Sequence, residues 1–242
     1  MIRLSQVSVS SRRRGRVIQG VSLHLPDDSV GFLVGPMGAG KSLILRLCAG
    51  ELLPDDGHVV VNGVDTRDMG ARGLQRLRRM TGFVSEDIPL ARGRTVLDNV
   101  IAPMEMKGAP WARAVRAALR ALDTLDALIL ADAYPDELSS GERQLVAVAR
   151  ALAPRPAIIL ADEPLRALPP DVGTRVMTLL ADSAARGSTV LIAGRAADYA
   201  PRGARVWPLR LGILGPHQVV SPPPEGRCSA LVEALLRSRG SG

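Results

Sequence analysis

Aromatic side chains are scarce in this sequence, which has two tryptophans, two tyrosines and two phenylalanines among 242 residues. A protein that binds single-stranded nucleic acid by stacking its bases needs a platform of such side chains. The formal net charge of +7 favours anionic surroundings, such as phosphates or acidic lipid headgroups. Because no aromatic platform accompanies the arginine clusters, they are interpreted as solvated surface, and no nucleic-acid partner is expected.

Cysteine and histidine are also rare, and no long apolar run is present. Two cysteines, Cys48 and Cys228, and three histidines give neither a disulfide framework nor the paired spacing of a zinc site. No uncharged apolar run approaches the roughly 18 residues that a membrane-spanning helix needs. Residues 1–6 lack a basic region followed by an apolar stretch, so no secretion signal is expected. These absences predict a chain that acts in the cytoplasm.

The hydropathy pattern changes along the chain from alternation to continuous runs. Alternating apolar residues at Val7 and Val9, and again from Val21 to Leu25, predict antiparallel strands. Later runs are fully apolar and typical of strands buried in a parallel sheet. These predicted strands cover residues 30–34, 157–161 and 189–193, and the predicted helices cover residues 43–47, 71–80, 111–130, 141–152 and 171–185. Helices that alternate with buried strands predict an α/β fold.

A glycine-rich loop follows the first buried strand. It reads Gly35-Pro36-Met37-Gly38-Ala39-Gly40-Lys41-Ser42 and satisfies the G-x-x-x-x-G-K-[ST] pattern of a phosphate-binding loop. Glycines allow successive backbone N–H groups to turn towards a phosphate, and the following helix N-terminus adds positive potential. Lys41 is one of only two lysines, the other being Lys107. We therefore expect Lys41 to contact the β- and γ-phosphates of a nucleotide and Ser42 to bind Mg²⁺.

Two adjacent carboxylates, Asp162 and Glu163, end a later buried strand. Buried carboxylates are costly unless a cation or a reacting group compensates their charge. Successive residues of a strand point in opposite directions, so the two carboxylates are expected to act differently. Asp162 is predicted to hold Mg²⁺, and Glu163 is predicted to act as the base that polarises the attacking water.

The segment Leu138-Ser139-Ser140-Gly141-Glu142-Arg143-Gln144, with Asp162-Glu163-Pro164 after it, resembles the signature of ABC-type nucleotide-binding domains. The resemblance implies a P-loop NTPase core with a mostly parallel sheet, an antiparallel β subdomain and an inserted α-helical subdomain. It places the domain at residues 1–220 and the helical insert at about 88–155. A proline-rich linker and short tail are predicted over 221–242.

The same resemblance implies a homodimer that encloses two Mg·ATP. In the family, residues at the positions of Ser139, Ser140 and Gly141 bind the γ-phosphate held by the opposite subunit. Within the family, the segment Arg94–Val100 and the opening residues 1–4 are similar to the FtsE group of cell-division ATPases. The implied partner is then an FtsX-like integral protein of the inner membrane, with this chain peripheral on the cytoplasmic face. Lipoprotein-releasing and antimicrobial-peptide exporter ATPases are similar enough to remain alternatives.

Several positions depart from the family pattern, and each bears on hydrolysis. Glu86 stands where the family has the Q-loop glutamine, which senses Mg²⁺, and Arg195 stands where the switch histidine is expected. The D-loop, residues 165–169, lacks its usual aspartate, and Ser140 replaces a glycine. Glu86 is expected as a metal ligand and, with Glu163 and Arg195, as a catalytic residue. We also hypothesise that Glu86 and Arg195 compensate each other's charge.

These departures leave three functions open. The first is an ATPase subunit of a membrane complex, slowed because the groups that align the γ-phosphate are altered. The second is a switch of the same fold that binds ATP and barely hydrolyses it. The third is a P-loop kinase or a nucleic-acid-linked NTPase, against which the signature-like segment argues.

Overall fold

The structure is a computed structural model that describes residues 1–11, 15–197 and 199–221. The predicted proline-rich linker and the short helix at 231–237 lie outside the described residues, apart from residue 221. Eleven strands and six α-helices are present in the described part of the chain. The domain limits inferred from the sequence remain a prediction.

The first layer is an antiparallel sheet. It contains β1 (Ile2–Ser11), β2 (Gly15–Leu25), β4 (Asp56–Val61) and the short β5 (Val64–Asp65), in the order β2-β1-β4-β5. Ile2 is the partner of Leu25 on one side and of Val61 on the other, and all three side chains are fully buried. The alternation seen in the sequence thus places one face of this sheet against the core.

The second layer is a sheet whose five central strands are parallel. These are β3 (Val30–Val34), β6 (Thr81–Val84), β7 (Ile158–Asp162), β8 (Thr189–Gly194) and β9 (Arg205–Arg210). The short β10 (Ile213–Leu214) and β11 (Gln218–Val219) pair antiparallel with β9. The order is β10-β9-β3-β8-β7-β6, so β3, which precedes the glycine-rich loop, lies beside β8 and one strand from β7.

Six α-helices cover the sheets and form the insert. Their bounds are α1 (Lys41–Cys48), α2 (Ala71–Met80), α3 (Val96–Glu105), α4 (Trp111–Thr124), α5 (Ser140–Leu152) and α6 (Pro170–Ala185), with 3₁₀ turns at Leu128–Leu130 and Pro135–Glu137. Helices α3, α4 and α5 pack on one another and form the helical insert. None of the helices in the described ranges has the length and apolar character needed to cross a membrane.

Two hydrophobic cores lie on opposite faces of the parallel sheet. Ile158 and Leu160 of β7 face the core that contains α1 and the antiparallel sheet, whereas Ile159 and Ala161 face the core that contains α6 and the helical insert. All four are fully buried. Truncating a leucine at such a position costs about 2–5 kcal/mol, so β7 is anchored in both cores up to the carboxylate that ends it.

Three parts of the fold differ from the sequence predictions. The helix predicted over 111–130 ends at Thr124, and residues 128–130 form a separate 3₁₀ turn. The chain passes through a left-handed residue at Asp126, with φ of 53°, which a continuous helix cannot contain. Helix α3 and strands β9 to β11 were not predicted.

Candidate functional site

The glycine-rich loop connects β3 to α1, and its backbone depends on its glycines. Gly40 has φ of 106°, a conformation that residues with a Cβ rarely adopt. A Cβ on Gly35 would lie 2.1 Å from the carbonyl oxygen of Leu209, which is closer than atoms can approach. The first turn of α1 has neither a side-chain cap nor an acidic residue. Its N–H groups therefore remain available to an anion.

Lys41 is held inside this loop with only 6% of its surface exposed. Its ammonium group donates hydrogen bonds to the carbonyl oxygens of Gly35 at 2.7 Å and Pro36 at 3.2 Å. The same nitrogen lies 3.5 Å from Oε1 of Glu163. The loop and the end of β7 thus meet at one buried cation.

Asp162 lies at the end of β7 and is 5% exposed. Burial raises the pKa of Asp162, and the repulsion of Glu86 and Glu163 acts in the same direction, whereas the hydrogen bond from Ser42 opposes the shift. Its Oδ1 is fully buried and has no hydrogen-bond partner among the described residues. A buried carboxylate with a free oxygen beside a hydroxyl is the ligand type that Mg²⁺ prefers. Asp162 and Ser42 therefore fit the predicted metal.

Glu163 immediately follows β7 in a left-handed backbone conformation, with φ of 47°. Its N–H group donates to the carbonyl oxygen of Ala193 at 2.9 Å, which fixes this turn against β8. Non-glycine residues in this conformation cost on the order of 1 kcal/mol and cluster at functional sites. The Glu163 carboxylate that follows this turn lies 3.5 Å from the ammonium group of Lys41.

One cavity of about 680 Å³ brings most of the predicted site residues together. This volume lies in the range of small-molecule sites, about 300–1,000 Å³. Of the predicted residues, it is lined by Met37, Gly38, Ala39, Gly40, Lys41, Ser42, Glu86, Asp162, Glu163 and Arg195. Gly35 and Pro36 are not in its lining but bind Lys41 through their carbonyl oxygens. Tyr199 and Arg166 also line it and were not predicted as site residues.

The structure pairs Glu86 with a different arginine from the one expected. Its carboxylate forms an ion pair and hydrogen bond with Arg166, which lies in the D-loop after Glu163. Arg195 lines the same cavity and is exposed, and no ion pair joins it to Glu86 in the described ranges. Charge compensation between Glu86 and Arg195 stays a prediction, since both residues line the cavity but Glu86 has Arg166 as its ion-pair partner. No sequence motif identifies Arg166, because the pair joins two loops 80 residues apart.

The signature residues Ser139, Ser140 and Gly141 are not in the lining of this cavity. They form the start of α5, where Ser139 and Glu142 make a capping box. The Glu142 carboxylate accepts hydrogen bonds from the Ser139 hydroxyl at 2.6 Å and from its N–H group at 2.8 Å. These bonds hold the pKa of Glu142 below its ordinary value. A Cβ on Gly141 would lie 3.0 Å from the carbonyl oxygen of Ala167, so α5 begins beside the D-loop.

A phosphate-binding loop, a strand ending in Asp162-Glu163 and a helical insert that contains the signature segment together define an ATP-binding cassette. Residues 18–166 match the ABC transporter family, and the chain belongs to that family. Its members bind ATP with Mg²⁺, and this chain does so as a member. The fold class inferred from the sequence is confirmed.

The chain is similar to the methionine import ATP-binding protein MetN of Mesorhizobium japonicum, with 38% identity over 176 residues, which is 72% of this chain and 48% of that protein. MetN of Thermobifida fusca is 37% identical over 186 residues, covering 76% of this chain and 58% of that protein. The chain spans about half the length of the curated relatives it matches.

A solved structure confirms the architecture. It is a dimer of the ATP-binding cassette MJ0796 in a post-hydrolysis state with ADP and Pi, at 29% identity and a TM-score of 0.85, covering 92% of this chain and all of that one. The two MetN relatives are named as methionine importers. These similarities therefore give no support to the FtsE-like assignment made from the sequence.

Proposed function

We propose that this chain is the ATP-hydrolysing subunit of an ABC-type membrane complex. The observation that carries the proposal is the single cavity in which Lys41, Ser42, Asp162 and Glu163 meet. The family match and the likeness to a cassette bound to ADP and Pi support it. A P-loop kinase is a weaker interpretation, because the signature segment at the start of α5 is a feature of the ABC family.

The residues of the cavity have separate tasks in this proposal. The N–H groups of the loop and the ammonium group of Lys41 bind the phosphates, and Ser42 and Asp162 hold Mg²⁺. The bound ion offsets charge on the phosphate oxygens. In the described state Lys41 faces Glu163 at 3.5 Å. A phosphate that binds Lys41 weakens this contact, and Glu163 can then accept a proton from the water that attacks the γ-phosphorus as ADP leaves.

Hydrolysis is proposed to be slow. Glu86 stands at the family's Q-loop glutamine and Arg195 at its switch histidine, and the D-loop, residues 165–169, lacks its usual aspartate. Removing one group that is positioned for the transition state costs about 10²–10³ in rate, so altered alignment at three positions can reduce turnover strongly. The alternative is a nucleotide switch that binds ATP and barely hydrolyses it.

Replacing Glu163 with Gln tests the enzyme function directly. The variant should bind Mg·ADP within about threefold of the wild type by calorimetry, because the phosphate and metal ligands are intact. Its phosphate release should fall by about 10²–10⁴, the range for losing a general base. Lys41→Met is the binding-deficient control. Absence of Mg·ADP binding by the wild type at millimolar nucleotide would refute the function, and equal rates in the wild type and Glu163→Gln would favour the switch.

The membrane partner is proposed to dock at a second cavity, of about 240 Å³, beside β6. Apolar residues such as Phe83 and Met106 line this cavity, together with four cationic residues and no carboxylate among those the structure describes. These cations are Arg78, Arg79, Lys107 and Arg150. Such a site fits a segment that presents apolar side chains flanked by acidic ones. We propose that this segment belongs to an integral subunit, with the chain peripheral on the cytoplasmic face.

Lys107 offers a selective test of this docking site. The Lys107 side chain is exposed, and partial desolvation by the surrounding protein lowers its pKa. The other lysine, Lys41, is buried. A carbodiimide, which joins an amine to a carboxylate, should therefore crosslink Lys107 to an acidic residue of the membrane subunit that copurifies with the chain. Lys107→Arg keeps the charge and should abolish the crosslink. A crosslink that persists in Lys107→Arg, or none in the wild-type complex, would contradict this site.

ATP-driven import is the process best supported by the similarities, because both MetN proteins are named as methionine import ATP-binding proteins. The cell-division role with an FtsX-like partner, and lipoprotein or peptide export, are alternatives drawn from the sequence alone. Deleting the gene in its own host separates them: loss of methionine uptake supports import, whereas filamentous cells with normal uptake support the division role.

A further inference from the structure

The ion pair between Glu86 and Arg166 joins two loops that line the nucleotide cavity. Glu86 follows β6, and Arg166 lies in the turn after β7. Both residues line the cavity that contains Lys41 and Asp162. Their side chains are 38% and 62% exposed, so the pair is accessible to solvent and can open when a ligand binds.

The turn that carries Arg166 also carries Glu163. The N–H group of Arg166 donates to the carbonyl oxygen of Glu163 at 3.0 Å. Both ends of the turn are left-handed without glycine, with φ of 47° at Glu163 and 66° at Ala167. A turn in this conformation persists only where its surroundings hold it. The Glu86–Arg166 pair is a contact that can hold this turn from the side of β6.

Two of the three carboxylates that line the cavity lie beside a cationic side chain. The acidic residues in its lining are Glu86, Asp162 and Glu163, and Lys41 lies at Glu163 whereas Arg166 lies at Glu86. Asp162 accepts a hydrogen bond from Ser42. The charge of Glu86 is therefore already compensated inside the chain, whereas Oδ1 of Asp162 is buried and has no hydrogen-bond partner in the described ranges.

We propose that Arg166 is a positioning residue for the hydrolysis, acting through Glu86 and through the turn that carries Glu163. This inference rests on the proposed function. Arg166 compensates the acidic residue that stands at the glutamine position of the family, so that a nucleotide is not repelled by Glu86. Glu86 is then the partner of Arg166 and does not serve as a metal ligand, contrary to the prediction from the sequence.

A double-mutant cycle on nucleotide affinity tests this assignment. Calorimetry should compare ADP binding, with Mg²⁺ and with chelator, in the wild type, Glu86→Gln, Arg166→Met and the double variant. Arg166→Met exposes the charge of Glu86, so the affinity for metal-free ADP should fall by at least about threefold. Adding Glu86→Gln to Arg166→Met should restore most of that loss, which gives a non-additive cycle.

Arg195 provides the matched control, because it is a second arginine in the same cavity. Arg195→Met removes the same charge, but its effect on ADP affinity should add to that of Glu86→Gln. Thermal unfolding of every variant shows whether a lost affinity reflects a lost fold.

Hydrolysis rates supply a further readout for the positioning role. Arg166→Met should lower kcat more than it raises KM for Mg·ATP, and Arg166→Lys should restore part of kcat because it keeps the cation. Additive effects for Glu86 and Arg166 would overturn the inference, as would coupling of Glu86 to Arg195 instead. In either case normal Mg·ADP binding by the wild type would leave the proposed function standing.

Discussion

At the scale of single residues, Cys48 shows how burial controls chemistry away from the nucleotide cavity. Its thiol lies in α1 and is fully buried, and burial raises the pKa of Cys48 to about 12 from an ordinary value of 9.0. A raised pKa means that the folded state favours the protonated thiol. Its contribution to stability is therefore complete below about pH 9 and is lost as the pH rises towards 12.

Alkylation and unfolding experiments should both report this shift. Iodoacetamide at about pH 8 should leave Cys48 unmodified in the native protein and modify it in urea, as peptide mass spectrometry can show. Above about pH 9, the free energy of unfolding should fall by up to about 1.4 kcal/mol per pH unit from this group. Cys48→Ala should remove that part of the pH dependence. An identical slope in both proteins would contradict the assignment.

The residues of the site divide into those that a motif identifies and those that only the structure reveals. Lys41, Ser42, Asp162 and Glu163 follow from the sequence, because a phosphate-binding loop and a strand ending in carboxylates need those residue types at those spacings. The orphaned oxygen of Asp162 is consistent with its predicted role. Arg166 could not be found in this way, because loop conformation alone decides which arginine reaches Glu86.

At the scale of secondary-structure elements, a capping box closes the first turn of α5, the helix that begins in the signature segment. Ser139→Ala removes the hydroxyl that accepts from the Glu142 N–H group at 3.3 Å and donates to its carboxylate. The free energy of unfolding should fall by about 1 kcal/mol, measured by urea denaturation. Ser140→Ala is the control, since no hydrogen bond of its side chain is found in the described residues, and it should change stability by less than about 0.5 kcal/mol.

The same cap predicts a dependence on pH. The pKa of Glu142 is lowered by hydrogen bonds from Ser139, so the cap stabilises the fold above the ordinary pKa of glutamate and is lost as the pH falls through the lowered value. The stability difference between the wild type and Ser139→Ala should therefore shrink in acid. A difference that stays constant as the pH is lowered would show that the Glu142 carboxylate plays no part in the cap.

Elements with a strong hydropathy pattern were predicted well, and elements without one were missed. The prediction for β3 matches Val30–Val34, and that for β8, over 189–193, falls one residue short of Thr189–Gly194. Helix α3 contains Pro103, a residue that disfavours helix interiors, yet its Thr95 cap and its packing on α4 and α5 maintain it. Strand β9 contains Pro208, so its sequence does not read as a central strand.

At the scale of the whole molecule, the separation between the phosphate loop and the signature segment needs an explanation. The phosphate loop lines the cavity, whereas the segment from Ser139 to Gly141 does not, although both were predicted to contact a nucleotide. The sequence resemblance accounts for this by placing the two features on different copies of the chain. The dimeric cassette with 29% identity supports that arrangement without showing it for this protein.

The dimer should therefore form only when nucleotide is present and hydrolysis is blocked. Glu163→Gln with Mg·ATP should elute at twice the chain mass of 25.6 kDa in light scattering coupled to gel filtration. Without nucleotide, the same variant should elute as a single chain. Lys41→Met should remain a single chain in both conditions, because the phosphates that join the two copies cannot bind.

We expect Ser140 to weaken this association, because it places a side chain where the family has glycine and where, in the dimer implied by the resemblance, the backbone of one copy approaches the phosphate of the other. Ser140→Gly, in the Glu163→Gln background, should shift dimer formation to lower ATP concentrations by about threefold to tenfold, as expected when a steric obstacle of about 1 kcal/mol is removed. Ser140→Thr enlarges the obstacle and should shift it the other way. If both variants dimerise like Glu163→Gln alone, the signature segment lies outside the interface and the two copies meet through another surface.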